Sequence, residues 1–304
     1  MSKVSVIIPS RNELFLSQTI NDILSKATGD VEVIAVLDGY WPDPPLNEDP
    51  RLILIHRGEA KGMRASINAG AAIAKGEYLI KTDAHCMFAE GFDEVLKANC
   101  DDNWIVIPPR YSLDAENWAI ENNGKPRRDY HYLCYPDPNK DHDHGMHGVE
   151  WWSRCKERLD DPQYTIDDNM SCQGSCWFMK KTWFTDFLQG LSEVGYGTFS
   201  QEFQEIGLKT WLGGGEVKVN KNTFYCHLHK GKRYGRMYNQ NHQEIINAHN
   251  WAAWHWMNNE EPNMKYNLKW LIHKFWPVPT WEECWMNDWE ESLEKWKREF
   301  RWTP

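Results

Sequence analysis

Residues 79–86 read LIKTDAHC, an apolar run that ends in an aspartate and a histidine separated by one residue. The run itself reads as a buried strand. In an extended chain, positions i and i+2 project to the same side, so Asp83 and His85 can reach one cation. A hard carboxylate beside a borderline imidazole suits Mn²⁺ better than Ca²⁺, with Mg²⁺ and Co²⁺ as further candidates. The competing reading is a helix-capping aspartate next to a core histidine, and the surrounding chain has to decide between them.

Upstream, KVSVIIP (3–9) is a short β-branched run, followed by SRNELFLSQTINDILSKA, where Leu16, Ile20, Ile23 and Leu24 fall at helical spacing. VEVIAVLDG (31–39) and RLILIHR (51–57) are strand-like, and KGMRASINAGAAIAKG (61–76) is an alanine-rich helix. Alternating strands and helices predict right-handed crossovers and a mostly parallel sheet flanked by helices. Ligands of such sheets bind beyond the carboxyl ends of strands, so Asp38 and Asp83 are expected to face one crevice. Asp38-Gly39 is also an ordinary turn dipeptide.

Downstream, residues from about 108 to 170 are polar and irregular, as long loops with a functional role often are. SCWFMKKTWFTDFL (175–188) predicts a strand and a helix. FSQEFQEIGLKTWLGG (199–214) predicts a helix buried through Phe203, Ile206, Leu208 and Trp211 and closed by glycines. After the strand-like EVKV and TFYCHLH, the run HLHKGKRYGR offers His227 and His229, then Lys230, Lys232, Arg233 and Arg236. One histidine from this run would complete a partial metal shell and leave positions open for diphosphate oxygens. Otherwise the run is a solvated basic loop.

The formal charge of −10 argues against a broad grip on phosphate backbones. Eight cysteines spread along 304 residues suggest reduced thiols. No apolar stretch approaches the roughly 18 residues of a membrane span, and the N-terminus runs straight into a strand, so a soluble, cytoplasmic protein without membrane insertion is expected. DHDHGMHG (141–148) places His142, His144 and His147 close together, as a structural metal site or a mobile acceptor loop. The last sixty residues hold ten of the eighteen tryptophans. Trp281, Trp285, Trp289 and Trp296 recur at helical spacing, which favours a packed helical cap over a surface that stacks on sugars.

The order of these parts resembles the GT-A nucleotide-sugar glycosyltransferases, above all family 2 and the polypeptide N-acetylgalactosaminyltransferases. Those enzymes combine a P-x-x-N-E loop, a strand ending in Asp, a Gly-x-x-x-A helix and a D-x-D or D-x-H metal motif. Pro9, Asn12, Glu13, Asp38, Gly62, Gly70, Asp83, His85 and Cys86 stand at the matching places. FSQEFQEIGLKTWLGGGEVKV resembles their W-G-G-E-N-x-E segment, with Glu202 and Glu205 on its acidic positions and Trp211 on its tryptophan. Counting onward places His227 on the family's metal histidine. Phe199, Ser200 and Gln201 replace the first three residues of W-G-G-E, the middle segment is this chain's own, and no lectin-like trefoil follows.

The resemblance implies a GT-A catalytic domain, taken over residues 1–238; the irregular insert at about 108–170 and a tryptophan-rich, mainly helical extension over 239–304 are read from the chain itself. It implies a UDP-sugar donor bound by Pro9, Arg11, Asn12, Glu13, Asp38, Gly62, Gly174, Lys230, Arg233 and Arg236. It implies Mn²⁺ (or Mg²⁺) on Asp83, His85 and His227, and Glu202, Glu205 and Arg64 in catalysis. The expected activity is hexosyl or N-acetylhexosaminyl transfer to a hydroxyl on a glycan, a protein or a hydroxylated base in DNA. A sugar-nucleotide pyrophosphorylase would start with a glycine-rich loop, which PSRNE is not. A non-catalytic carbohydrate-binding protein is the alternative from another class.

Overall fold

The computed structural model describes residues 2–139, 145–159, 161–236, 238, 240–300 and 302, without the side chain of Lys232. His142 and His144 of the expected histidine cluster lie outside the described residues.

Val4–Ser10 and Val31–Asp38 are buried along almost their whole length, as strands covered on both faces must be. They lie in an eight-stranded sheet ordered Ile166–Asp168, Glu216–Asn220, Trp104–Ile107, Cys176–Lys180, Tyr78–Thr82, Val4–Ser10, Val31–Asp38, Leu52–Arg57. The last four strands are mutually parallel. Cys176–Lys180 runs antiparallel to both its neighbours, and Ile166–Asp168 is antiparallel to the strand it flanks. Alternate residues serve opposite faces. Val4, Val6 and Ile8 pack with Ile20 and Ile23 of the Leu16–Lys26 helix, while Ile7 packs with Ile67 and Ala71 of the Met63–Ile73 helix. Gly70 allows that second approach, since a Cβ there would sit 2.6 Å from the Ile7 side chain.

A second sheet, ordered Cys86–Phe88, Tyr225–His227, Arg110–Asp114, Ala119–Ile120, lies at the carboxyl end of the Tyr78–Thr82 strand. Its first two strands pair antiparallel and set His227 opposite Cys86, while Tyr225–His227 and Arg110–Asp114 run parallel. This register brings the late histidine beside Asp83 and His85.

Two expectations change. Residues 108–170 are not an irregular loop: they contribute strands at Arg110–Asp114, Ala119–Ile120, His131–Leu133, Gly148–Glu150 and Ile166–Asp168, and a helix at Trp152–Glu157. These pieces are two to six residues long, too short to leave a periodic signal. Residues Trp183–Phe187 form a π-helical turn where a helix was expected.

The C-terminal residues are mainly helical, in His242–Met257, Leu268–Phe275 and Trp289–Glu299. Their buried Ala252, Trp256, Leu271 and Trp296 join the same apolar cluster as Ile7, Trp177 and Trp211 of the sheet and its helices. Trp281, Trp285, Trp289 and Trp296 are all buried, and the indoles of Trp281 and Trp296 donate to the carbonyls of Leu133 and Pro136. These tryptophans fasten the cap to residues 133–136 and present no stacking surface. Among the described residues no helix is long and apolar enough to cross a membrane.

Because Trp256 is fully buried in that shared cluster, Trp256→Ala should cost about 3–5 kcal/mol. Urea unfolding should remain a single transition shifted to lower denaturant; a separate early transition for the C-terminal helices would contradict one continuous core.

Candidate active site

Asp38 lies at the end of its strand, as the sequence suggested, and is 3% exposed. Its carboxylate accepts from the backbone N–H groups of Lys61 and Gly62, at 2.9 and 2.8 Å, and from Arg57 Nη1 at 3.2 Å. It thereby shapes the turn into the Met63–Ile73 helix. Gly62 takes φ +91° there, and a Cβ would meet Thr198 at 2.5 Å.

Two strands over, just past the end of Tyr78–Thr82, Asp83, His85 and His227 converge, with one ligand atom from each lying within 4.8 Å of the others. His227 Nε2 is 3.2 Å from Asp83 Oδ2, and the two imidazole centroids are 4.9 Å apart. Glu13 Oε2 sits 3.4 Å from His85 Nδ1 and accepts from Lys230 Nζ at 2.5 Å. Carboxylate support behind a histidine is the usual means of orienting a metal-binding ring. Burial together with the opposing pull of Asp83 leaves the His227 imidazole pushed down to about 3, a neutral ring with lone-pair capacity. Burial alone would raise the Asp83 carboxyl, yet Lys81 at 2.8 Å and the two imidazoles hold it far below the usual carboxylate range. His227 Nδ1 has no hydrogen-bond partner among the described residues. An ionised carboxylate with two imidazoles, one neutral and incompletely satisfied, is a donor set that fits a borderline divalent ion such as Mn²⁺.

Lys81 was not among the expected site residues, and it sits at the centre of the cluster. Its ammonium donates to Asp83 at 2.8 Å, to Glu202 at 3.0 Å and to the Gly174 carbonyl at 2.7 Å, and the residue is 1% exposed. The signal was available: a lysine inside an otherwise apolar buried strand needs an anionic partner. Glu202 also accepts from the Trp177 indole at 2.6 Å, and burial raises its carboxyl despite Lys81. Gly174 takes φ +78° beside it, where a Cβ would lie 3.3 Å from Glu202 Oε2.

Glu13, Asp38, Lys81, Asp83, His85, Gly174, Glu202 and His227 border one cavity of about 1250 Å³, lined also by Pro9, Arg11, Gly62, His147, His229, Lys230, Arg236, Tyr238 and His249. Arg11 lies 5.2 Å from the Tyr238 ring, and Arg236 lies 6.0 Å from that of Phe199. Asn12, with φ +54°, is exposed outside the lining, and Arg233 pairs with Glu116 on the surface.

Arg64 and Glu205 do not reach the cavity. Both are fully buried and pair with each other. Arg64 also donates to the carbonyls of Ser192 and Ser200, while Glu205 accepts from Lys209 at 2.8 Å and from the Ser192 N–H at 3.0 Å. The catalytic role expected of them gives way to a structural one, holding residues 192–200 against the Glu202–Gly213 helix. Helical spacing explains the difference: Glu205 follows Glu202 by about one turn, but the helix is buried all round, so its second carboxylate turns inward.

The glycosyl transferase family 2 model matches residues 5–188, which include the strands that bear Asp38 and Asp83. The chain belongs to glycosyl transferase family 2. A putative polypeptide N-acetylgalactosaminyltransferase 13 from Drosophila melanogaster is 25% identical over 243 residues, covering 72% of this chain and 40% of the relative. The glycosyltransferase GlyG of Streptococcus pneumoniae is 27% identical over 123 residues, covering 38% of this chain and 41% of its own. The chain thus spans about two fifths of the length of these curated relatives. Among solved structures, GalNAc-T7 with UDP, GalNAc and Mn²⁺ superposes with a TM-score of 0.65 at 17% identity, over 90% of this chain and 56% of that one. Residues 1–349 of S. aureus TarS in complex with UDP-GlcNAc superpose with a TM-score of 0.53 at 15% identity, over 86% and 68%. These likenesses establish the GT-A fold expected from the sequence.

Removing one member of a buried ion pair leaves the other uncompensated. Arg64→Ala should therefore destabilise the protein by about 3 kcal/mol, read from urea unfolding. If Arg64 instead touched donor, the variant would unfold normally and lose nucleotide binding.

Proposed function

We propose that this protein transfers a sugar from a UDP-sugar to a hydroxyl acceptor, with a divalent metal, Mn²⁺ or Mg²⁺, held by Asp83, His85 and His227. The observation that supports this reading most directly is the convergence of those three side chains in a cavity bordered by Asp38 and Glu202, within a family 2 chain. GalNAc-T7, the neighbour of the same fold, was crystallised with UDP and Mn²⁺.

On this reading the residues divide the work. Pro9, Arg11 and Asp38 border the nucleoside end; Asp38 fixes the backbone turn at Lys61 and Gly62 and keeps that wall in place. Asp83 supplies the negative charge of the metal site, and Lys81 keeps it ionised. Glu13 holds the His85 ring and anchors Lys230, whose ammonium stands ready for phosphate oxygens at the cost of its bond to Glu13. The metal, when bound, neutralises the diphosphate and stabilises the departing UDP. Glu202, set against Gly174 and raised by burial, stands at the sugar end, where a carboxylate with elevated pKa can take a hydroxyl proton near neutral pH. Arg236 lines the same cavity beside Phe199.

Calorimetric titration with UDP, with and without Mn²⁺, tests the reading. Binding should appear with Mn²⁺ and vanish with chelator. Asp83→Ala and His227→Ala should each weaken it at least a hundredfold; His227→Ala should leave the melting temperature little changed, whereas Asp83→Ala also removes a partner of buried Lys81 and should lower it. Undiminished binding in both variants would place the nucleotide elsewhere. UDP-sugar hydrolysis in the unsubstituted protein separates an enzyme from a lectin, which would leave the donor intact.

A further inference from the structure

The cavity is larger than a donor alone requires. At about 1250 Å³ it exceeds the roughly 300–1,000 Å³ of sites that enclose one drug-sized ligand. Its floor is the segment from Thr198 to Gln204, which begins against Gly62 and reaches Gly174 through Glu202. Along that floor lies the His242–Met257 helix, outside the residues matched by the family model. Glu244 accepts from the Thr198 N–H at 2.5 Å and from its hydroxyl at 2.7 Å, which pins the helix in place.

Farther along the helix, the His249 ring meets His147 edge to face at 4.5 Å, and His147 Nδ1 lies 3.3 Å from Gln201 Nε2. Contacts run in series from the metal-ligand candidates to this pair: Asp83 to Lys81, Lys81 to Glu202, then from the adjoining Gln201 to His147 and on to His249. The two imidazoles are thus linked to the metal-ligand candidates through Gln201, the neighbour of Glu202.

The chemistry there differs from that of the donor end. Imidazoles and the carboxamide of Gln201 both donate and accept hydrogen bonds, and half-buried Phe199, two residues before Gln201, offers an apolar ring. Such groups complement the alternating hydroxyls and apolar face of a sugar ring. Glu244, which accepts from Thr198 on the same stretch of lining, disfavours an anionic group beside it.

We propose that His147, His249 and Gln201 form the acceptor subsite, and that it takes a neutral saccharide whose hydroxyl is presented toward Glu202. This inference rests on the glycosyltransferase reading. Its test is an array of neutral oligosaccharides, serine- and threonine-containing peptides and DNA containing hydroxymethyluracil, probed with the full chain in UDP and Mn²⁺. Saccharide binding is expected, weakened about tenfold in His147→Ala and in His249→Ala, as for loss of one or two neutral hydrogen bonds. UDP affinity in the same variants reports whether they are folded.

A second measurement needs no variant: histidine modification by diethylpyrocarbonate, mapped by mass spectrometry. His147 and His249 should be protected by the bound saccharide beyond any protection from UDP and Mn²⁺ alone. Preference for peptide or DNA, saccharide binding indifferent to both substitutions, or no added protection would overturn the subsite. UDP binding without any saccharide binding would overturn it alone, whereas absent UDP binding would overturn the donor reading beneath it.

Discussion

One buried ammonium ties this site together. Lys81 is inside the central sheet, and its three donors reach a carboxylate at the end of its own strand, a carboxylate on the Glu202–Gly213 helix and a carbonyl in the turn before the Cys176–Lys180 strand. Burying a lone charge is prohibitive, and burying two close carboxylates without a cation is equally so. Each group makes the others tolerable. The end of the Tyr78–Thr82 strand and the start of the Glu202–Gly213 helix are consequently fixed relative to each other by one electrostatic constraint.

Much of this was legible in the chain. The apolar runs at 4–10, 31–38 and 78–82 fold as the strands their β-branched residues suggested, and the Asp-x-His spacing puts two ligand types on one side. His227 was placed by resemblance alone. Its physical cause is an antiparallel register between two three-residue strands, which no local pattern announces. The cap was legible as well, because tryptophans at helical spacing with buried rings need a partner surface.

What stayed hidden is what depends on long-range partners. Glu202 and Glu205 look alike in sequence, yet one borders the cavity and the other closes an internal ion pair with Arg64, a residue 141 positions away. The same helix spacing predicts two acidic groups on roughly one side; only the tertiary neighbours decide which of them meets solvent. Residues 108–170 failed for a related reason, since strands of two to five residues gain their stability from pairing rather than from propensity.

The metal-ligand candidates are joined across 144 positions, from Asp83 to His227, and Glu13 reaches across 217 positions to Lys230. A cluster assembled over such separations has no counterpart in a half-made chain. While the protein is being synthesised, the Asp-x-His pair exists without its partner until residue 227 has emerged. Capture of a metal by the full donor set, on the proposed reading, would follow that point, and an ion bound there would favour the completed topology over every partial one.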